Sequence, residues 1–129
     1  MSEHSAIVVN GVSGRMGRML VQVIAASGAA HVIGALERPG HDWIGRDLGL
    51  CLGGAANGVI VSGDPAQALT GAHAVIDFTA PAATVALARV AARMKVAHVI
   101  GTTGFAPDDL RTLAKIARTG VMVRAGNMS

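Results

Sequence analysis

An apolar run, Ile7-Val8-Val9, passes into Asn10-Gly11-Val12-Ser13-Gly14-Arg15-Met16-Gly17, where three glycines stand three apart and a helical pattern starts at once. Few architectures accept that order. A buried strand must end in a tight turn, and the turn must open straight into a helix, which is the arrangement that binds the pyrophosphate of a dinucleotide. Glycine at the turn lets the backbone approach a phosphate with no Cβ in the way. The new helix then turns unpaired N–H groups and the positive end of its dipole toward that anion. A glycine trio alone is a weak signal; its place between strand and helix, and the residues downstream of it, give it weight.

Downstream lies a second apolar run, from His31 to Leu36, ending in Glu37-Arg38. Glu37 lies 20 residues beyond Gly17, about where a dinucleotide fold places the acid that holds the adenosine ribose hydroxyls. Arg38 beside it is a guanidinium suited to a 2′-phosphate. The pair therefore reads as a site for NADH, NADPH or both. Without the upstream glycines it would read as a solvated salt-bridge pair at a strand end.

Strand and helix patterns alternate along the rest of the chain. Strands are predicted over 6–10, 32–36, 59–61, 74–78, 96–100 and 121–124, and helices over 14–27, 65–69, 81–95 and 107–118. In the first helix, Met16, Met19, Leu20, Val23 and Ile24 form one apolar stripe at spacings of three and four. Asp64-Pro65 is an N-cap followed by proline at the first helical position, and Asp108 and Asp109 complement the dipole of the last helix. The Gly-rich stretch from Pro39 to Gly58 reads as an irregular surface excursion. The succession predicts an α/β, Rossmann-like, doubly wound and mostly parallel sheet with helices on both faces.

Composition agrees with one such module. The 129 residues suffice for one domain with a real core and not for two of ordinary size. Hydrophobic residues make up 51% and charged residues 15%, the balance that strands buried on both faces require. The net charge of +3 suits a phosphate-bearing cofactor. Nucleic acid is not an expected partner, because Lys and Arg form no cluster and aromatics are 2% of the chain. No apolar run approaches membrane-spanning length, no apolar signal segment opens the chain, and the one cysteine, Cys51, cannot form an internal disulfide. A cytoplasmic location without a membrane partner is the expectation. Cys51 stands among Leu48, Leu50 and Leu52, which favours buried packing over a nucleophile.

In a doubly wound sheet, ligands lie over the carboxyl ends of the strands. Those ends carry Gly11–Met16, Glu37-Arg38, Phe78-Thr79, Gly101–Thr103 and Ala125–Met128, each polar or glycine-rich after an apolar strand. The hydroxyls of Thr79, Thr102 and Thr103 are candidate donors to phosphate, ribose or carboxamide, and Thr79 also suits a helix cap. Asp77 ends a central strand, where a capping or hydrogen-bonding role is more economical than acid catalysis. Of the five histidines (His4, His31, His41, His73 and His98) no two are adjacent or at helical ligand spacing, and structural roles are expected for His73 and His98. No Cys/His/acid cluster has metal-ligand spacing. No Gly-Lys-Ser/Thr comes after the glycines, which excludes a P-loop.

Taken in order, Gly-Val-Ser-Gly-Arg-Met-Gly-Arg-Met (11–19), Ala-Leu-Glu-Arg (35–38), Val-Ile-Asp-Phe-Thr-Ala-Pro (75–81) and Val-Ile-Gly-Thr-Thr-Gly-Phe (99–105) closely resemble bacterial dihydrodipicolinate reductases. The likeness runs from residue 6 to residue 129, and Gly-Arg-Met-Gly with Gly-Thr-Thr-Gly-Phe is far more specific than a bare glycine motif. The resemblance implies reduction of dehydrated 4-hydroxy-tetrahydrodipicolinate by NADH or NADPH to tetrahydrodipicolinate, in diaminopimelate and lysine biosynthesis. It implies that Gly11, Val12, Ser13, Gly14, Arg15 and Met16 form the pyrophosphate loop, with Arg15 available to the NADP phosphate and Gly17 allowing close packing of the helix on the sheet. Glu37 resembles the ribose ligand and Arg38 the 2′-phosphate ligand. Phe78 and Thr79 belong to the same cofactor-binding set. Gly101, Thr102 and Thr103 resemble the segment beside the nicotinamide, where Thr103 also meets a substrate carboxylate. Ala125, Gly126, Asn127 and Met128 resemble the last cofactor-contacting segment.

Two features depart from the family. Met128 replaces the usual phenylalanine before the final serine, and Gly126 stands where alanine or proline is common. The family also continues into a substrate domain with a His-His…Lys motif and a Gly-Thr segment, which this sequence does not contain. The resemblance thus implies an NAD(P)-binding domain over 1–129, with no catalytic residue of its own and a dicarboxylate substrate clamped mostly from outside the chain. A homo-oligomer, a tetramer, is implied for the full-length protein. Two other readings are another NAD(P)-dependent dehydrogenase with the same nucleotide half and a non-enzymatic dinucleotide-sensing domain. The Gly-Thr-Thr-Gly-Phe element argues against the first.

Overall fold

A computed structural model describes residues 5–124. In chain order the elements are β1 (Ser5–Asn10), α1 (Arg15–Ser27), β2 (Ala30–Leu36), α2 (Leu48–Cys51), β3 (Val61–Ser62), α3 (Pro65–Leu69), β4 (Ala74–Asp77), α4 (Pro81–Met94), β5 (Ala97–Ile100), α5 (Pro107–Ile116) and β6 (Met122–Arg124). The six strands form one sheet in the order β3-β2-β1-β4-β5-β6, and every neighbouring pair is parallel. Strand order reverses between β1 and β4, so the loops after these strands part and leave a crevice at the carboxyl edge.

Strand alternation sends side chains to two faces. Ile7 and Val9 of β1 pack on one side with Val21 and Ile24 of α1, Leu48 and Val61. Val8 turns to the other side and joins Leu69, Val75, Leu87 and Ala91 under α3 and α4. A third cluster, Ala88, Ile100 and Leu113, joins α4, β5 and α5. Val8 and Val9 are fully buried. Burial of each contributes on the order of 1.5–3 kcal/mol of hydrophobic stabilisation.

The first helix turns only part of its predicted stripe to the core: Ile24 is buried and Leu20 packs against the same cluster. Gly17, Val21 and Ile24 are its buried residues, whereas Met16, Met19 and Val23 are 38%, 46% and 57% exposed. Two apolar arcs overlap on this helix, and the glycine decides between them. Only a residue without a Cβ fits against the preceding turn, so Gly17 faces inward and the helix rotates to bring it there.

The segment 39–60 is also more ordered than its composition suggests. It contains the single turn α2, and Leu48 is fully buried in the core. Asp47 organises it: one carboxylate oxygen accepts from the N–H groups of Leu50 and Asn57 (both 3.1 Å), and the other from Gly58 (2.9 Å). Burial raises the Asp47 carboxyl, but backbone N–H groups of Gly58, Asn57, Leu50 and Gly49 outweigh it and hold the group below the usual carboxylate range. Cys51 is half-buried. The Asp64 cap on Ala66 N–H (3.1 Å) and Pro65 at the first position of α3 match expectation. No helix among the described residues is long and apolar enough to cross a membrane.

Candidate dinucleotide site

The glycine turn is held from below by strand β2. Gly11 and Val12 both donate their N–H groups to Leu36 O, at 2.9 and 3.3 Å, and Gly14 donates to Gly11 O at 3.1 Å. Gly11 adopts φ +78°, which favours glycine, and a Cβ on Gly17 would lie 2.3 Å from Gly11 O. Ser13 donates from both N–H (2.8 Å) and Oγ–H (2.6 Å) to Glu37 Oε2. The amides of residues 11–14 are thus committed inside the protein. The first helical bond is Arg18 N–H to Gly14 O at 2.9 Å, so the N–H groups at Arg15, Met16 and Gly17 begin the helix without intrahelical acceptors. These, rather than the amides of the turn itself, are the donors available to an anion.

Glu37 is buried at the end of β2, while Arg15 and Arg38 are exposed. Beside Glu37 opens a cavity of about 470 Å³ lined by Gly11, Glu37, Arg38, Pro65, Thr79 and Leu87 among others. That volume falls in the range of small-molecule sites, roughly 300–1,000 Å³. The glycine turn, a buried carboxylate, the exposed Arg38 and an apolar recess meet in this cavity, features that suit an adenine nucleotide, and the turn leads directly into the N-terminus of α1.

The loops after β4 and β5 form the other half of the crevice, and their hydroxyls turn inward. Asp77 is fully buried, with Oδ1 accepting from Thr79 Oγ1 (2.7 Å) and Asn10 Nδ2 (3.2 Å) and Oδ2 lying 2.9 Å from His98 Nε2. Thr84 Oγ1 donates to Thr102 Oγ1 (2.8 Å), which itself contacts Asp77 O (3.3 Å) and accepts Thr79 N–H (2.9 Å). The hydroxyls of Thr79 and Thr102 are therefore used within the fold, contrary to the expectation that they face a ligand. Buried hydroxyls need partners, and Asp77 supplies one to each, its carboxylate to Thr79 and its backbone carbonyl to Thr102. Nor does Thr79 cap α4: the cap position is Ala80, with no side-chain bond. Asp77 has the hydrogen-bonding role expected of it, and His98 and His73 the structural ones, His73 Nδ1 accepting Ala6 N–H at 2.8 Å.

Phe78 is 37% exposed, and its ring lies so close over Gly101 that a Cβ there would sit 2.0 Å from it. Thr103 is exposed. Ala125, Gly126, Asn127 and Met128 lie outside the described residues.

The site contains three residues that sequence reasoning passed over. Arg18 donates from Nε to Ser13 O (2.9 Å), and its guanidinium lies 5.0 Å from the centre of the Trp43 ring. Trp43 meets His41 edge-on at 5.8 Å between ring centres and donates its backbone N–H to His41 Nδ1 at 3.0 Å. His41 Nε2 lies 3.9 Å from Glu37 Oε1. No local signal marked His41, because a spacing of four brings side chains together on a helix and residues 37–41 form a turn.

The sequence model of the family described as "Dihydrodipicolinate reductase, N-terminus" matches residues 5–128. The chain belongs to this family. It is 60% identical over its whole length to a 4-hydroxy-tetrahydrodipicolinate reductase of Dinoroseobacter shibae and 57% identical to one of Cereibacter sphaeroides, and covers 48% of each. The chain thus spans about half the length of these relatives. Among solved structures, a dipicolinate-bound dihydrodipicolinate reductase from Paenisporosarcina sp. TG-14 aligns with 97% of this chain and 48% of its own, at TM-score 0.75 and 19% identity. An amine dehydrogenase from Mycobacterium smegmatis aligns with 97% of this chain and 39% of its own, at TM-score 0.76 and 25% identity. The family match and the oxidoreductase neighbours agree with a nicotinamide nucleotide as the cofactor class.

Proposed function

We propose that this chain is the nucleotide-binding half of a reductase that uses NADH or NADPH to reduce dehydrated 4-hydroxy-tetrahydrodipicolinate to tetrahydrodipicolinate. The observation that carries the reading is the 60% identity over all 129 residues to a reductase of that name, joined to an intact glycine turn beside the switch point of the sheet, with Glu37 and Arg38 at the end of the neighbouring strand β2. The nicotinamide ring supplies a hydride to an electron-poor C=C–C=N system; the chain supplies geometry and electrostatics.

In this reading, the N–H groups at Arg15 and Met16 bind the pyrophosphate, with the rest of the Gly11–Met16 loop shaping the approach. Glu37 accepts from the adenosine ribose hydroxyls, and Arg38 and Arg15 pair with a 2′-phosphate when one is present. Phe78 and Gly101 wall the nicotinamide side, with Thr79 and Thr102 fixing the backbone from beneath. Thr103 meets a substrate carboxylate, and the segment 125–128 completes the cofactor contacts. A substrate domain outside these 129 residues provides the proton donor and most of the dicarboxylate clamp, and the full-length protein assembles as a homo-oligomer.

Calorimetric titration with NADH and NADPH tests the reading. Micromolar binding without reductase turnover is the expected result for this chain, and Arg38→Ala weakens NADPH by about tenfold while sparing NADH, the loss of one charge-assisted pair. Robust turnover by the chain alone, or no binding of either cofactor to the folded chain, overturns it.

A further inference from the structure

Glu37 is not a freely rotating carboxylate. Its Oε2 is tied twice to one residue, by Ser13 N–H at 2.8 Å and Ser13 Oγ–H at 2.6 Å. Both are hydrogen bonds to a charged acceptor, the stronger kind. Ser13 is braced in turn by Arg18, whose Nε–H donates to Ser13 O at 2.9 Å and whose guanidinium lies against Trp43. On the other side, His41 Nδ1 accepts Trp43 N–H, which leaves the ring proton on Nε2, the atom 3.9 Å from Glu37 Oε1. These contacts form a closed circuit: Glu37, Ser13, Arg18, Trp43, His41 and back to Glu37. The side chain is only 6% exposed, and Oε1 is its less encumbered oxygen, with Arg38 N–H 3.4 Å away.

We propose that Ser13, supported by His41, is the residue that sets cofactor preference at this site, by holding the Glu37 carboxylate in place so that NADH is favoured over NADPH. The inference rests on the dinucleotide reading above and names which dinucleotide. A ribose 2′-hydroxyl donates to a fixed carboxylate oxygen and gains from its being preorganised. A 2′-phosphate placed at the same point is repelled by it, and only rotation of Glu37 away from the ribose relieves the repulsion. That rotation breaks both Ser13 bonds. Arg38 attracts the phosphate in either state, so it raises NADPH affinity without removing the repulsion. The discriminating element is therefore the repulsive one, and Ser13 keeps it in position.

The test measures Kd for NADH and NADPH at one ionic strength with the wild-type chain and with Ser13→Ala, Ser13→Thr, Glu37→Gln and the Ser13→Ala/Glu37→Gln pair. The wild type is expected to bind NADH more tightly. Ser13→Ala shifts the NADH-to-NADPH affinity ratio by about tenfold toward NADPH, since it removes one charge-assisted bond and keeps the N–H one. Ser13→Thr retains the hydroxyl and preserves the ratio. In the Glu37→Gln background Ser13→Ala leaves the ratio unmoved, because no charge remains to be held. A Ser13→Ala chain that loses both cofactors in equal proportion overturns the inference alone and returns Ser13 to plain loop-building. The inference also falls if the Ser13 effect survives in the Glu37→Gln background or if the wild type prefers NADPH. Failure of the folded wild type to bind either cofactor overturns the dinucleotide reading together with the inference.

Discussion

The two halves of the crevice use similar polar residues in opposite ways. At the end formed by β1 and β2, the turn after β1 leaves helix N–H groups, Arg15 and Arg38 facing outward, and one serine is spent on positioning one carboxylate. At the β4–β5 end, the threonine hydroxyls 79, 84 and 102 close on one another and on Asp77, while Phe78 and Thr103 are exposed. A polar side chain at the carboxyl end of a strand is therefore not a ligand by default. Where a buried carboxylate lies beneath it, desolvation draws the hydroxyl inward.

The largest effect is expected from breaking the inward-facing half. Asp77→Ala strands His98, Asn10 and Thr79 in a region where Asp77 and His98 are 0% and 2% exposed. Urea unfolding should show a loss of about 3–5 kcal/mol, the range for removing one member of a buried, hydrogen-bonded ionisable pair. A loss below about 1 kcal/mol would mean that the threonines hold one another without Asp77.

The outward-facing half breaks more cheaply in stability and more completely in binding. Alanine is favoured over glycine within a helix by about 1 kcal/mol. At Gly17, however, the new Cβ would meet Gly11 O at 2.3 Å and Val12 Cα at 2.8 Å, both backbone atoms. Gly17→Ala is expected to cost a net ~1–3 kcal/mol, as overpacking does, and to abolish binding of both dinucleotides by displacing the turn. A stabilised variant with intact binding would show that the turn is free to move away from α1.

The smallest effect concerns the loop that carries His41 and Trp43. The Asp47 pKa is lowered, so its contribution to order in this loop is present above the ordinary carboxylate range and is lost as the pH falls through the depressed folded value. Trp43 is the single tryptophan and reports on this segment. Its fluorescence should change on acidification below the carboxylate range before the sheet unfolds, and Asp47→Asn should remove that early step. A wild-type signal that stays flat until global unfolding would detach the loop from Asp47.

Much of this was legible in the residues because it is local. Gly11, Gly14 and Gly17 announce a turn at the end of an apolar run, and Asp64-Pro65 opens α3 as its capping chemistry requires. Glu37 and Arg38 stand at the end of β2, as their distance from the glycines predicts. The features that stayed hidden had non-local causes. Met16, Met19 and Val23 look as suitable for a core as Val21, and only the contact of Gly17 with the preceding turn selects the buried arc. Leu48 reads as part of a loose loop, yet the Asp47 hydrogen bonds fold that loop over the core.

Local sequence was enough for the alternating strand–helix order, the glycine turn and the chemistry at the strand ends, since periodicity and turn residues act over a few neighbours. Which polar groups remain available for a ligand was set by the tertiary fold. Thr79 and Thr102 are joined across 23 residues, His98 and Asp77 across 21, and Ser13 and Glu37 across 24. No local pattern records such pairings. They arise because parallel strands bring their carboxyl ends to one edge, where buried hydroxyls and carboxylates pair with one another inside the protein and are no longer free to serve a ligand.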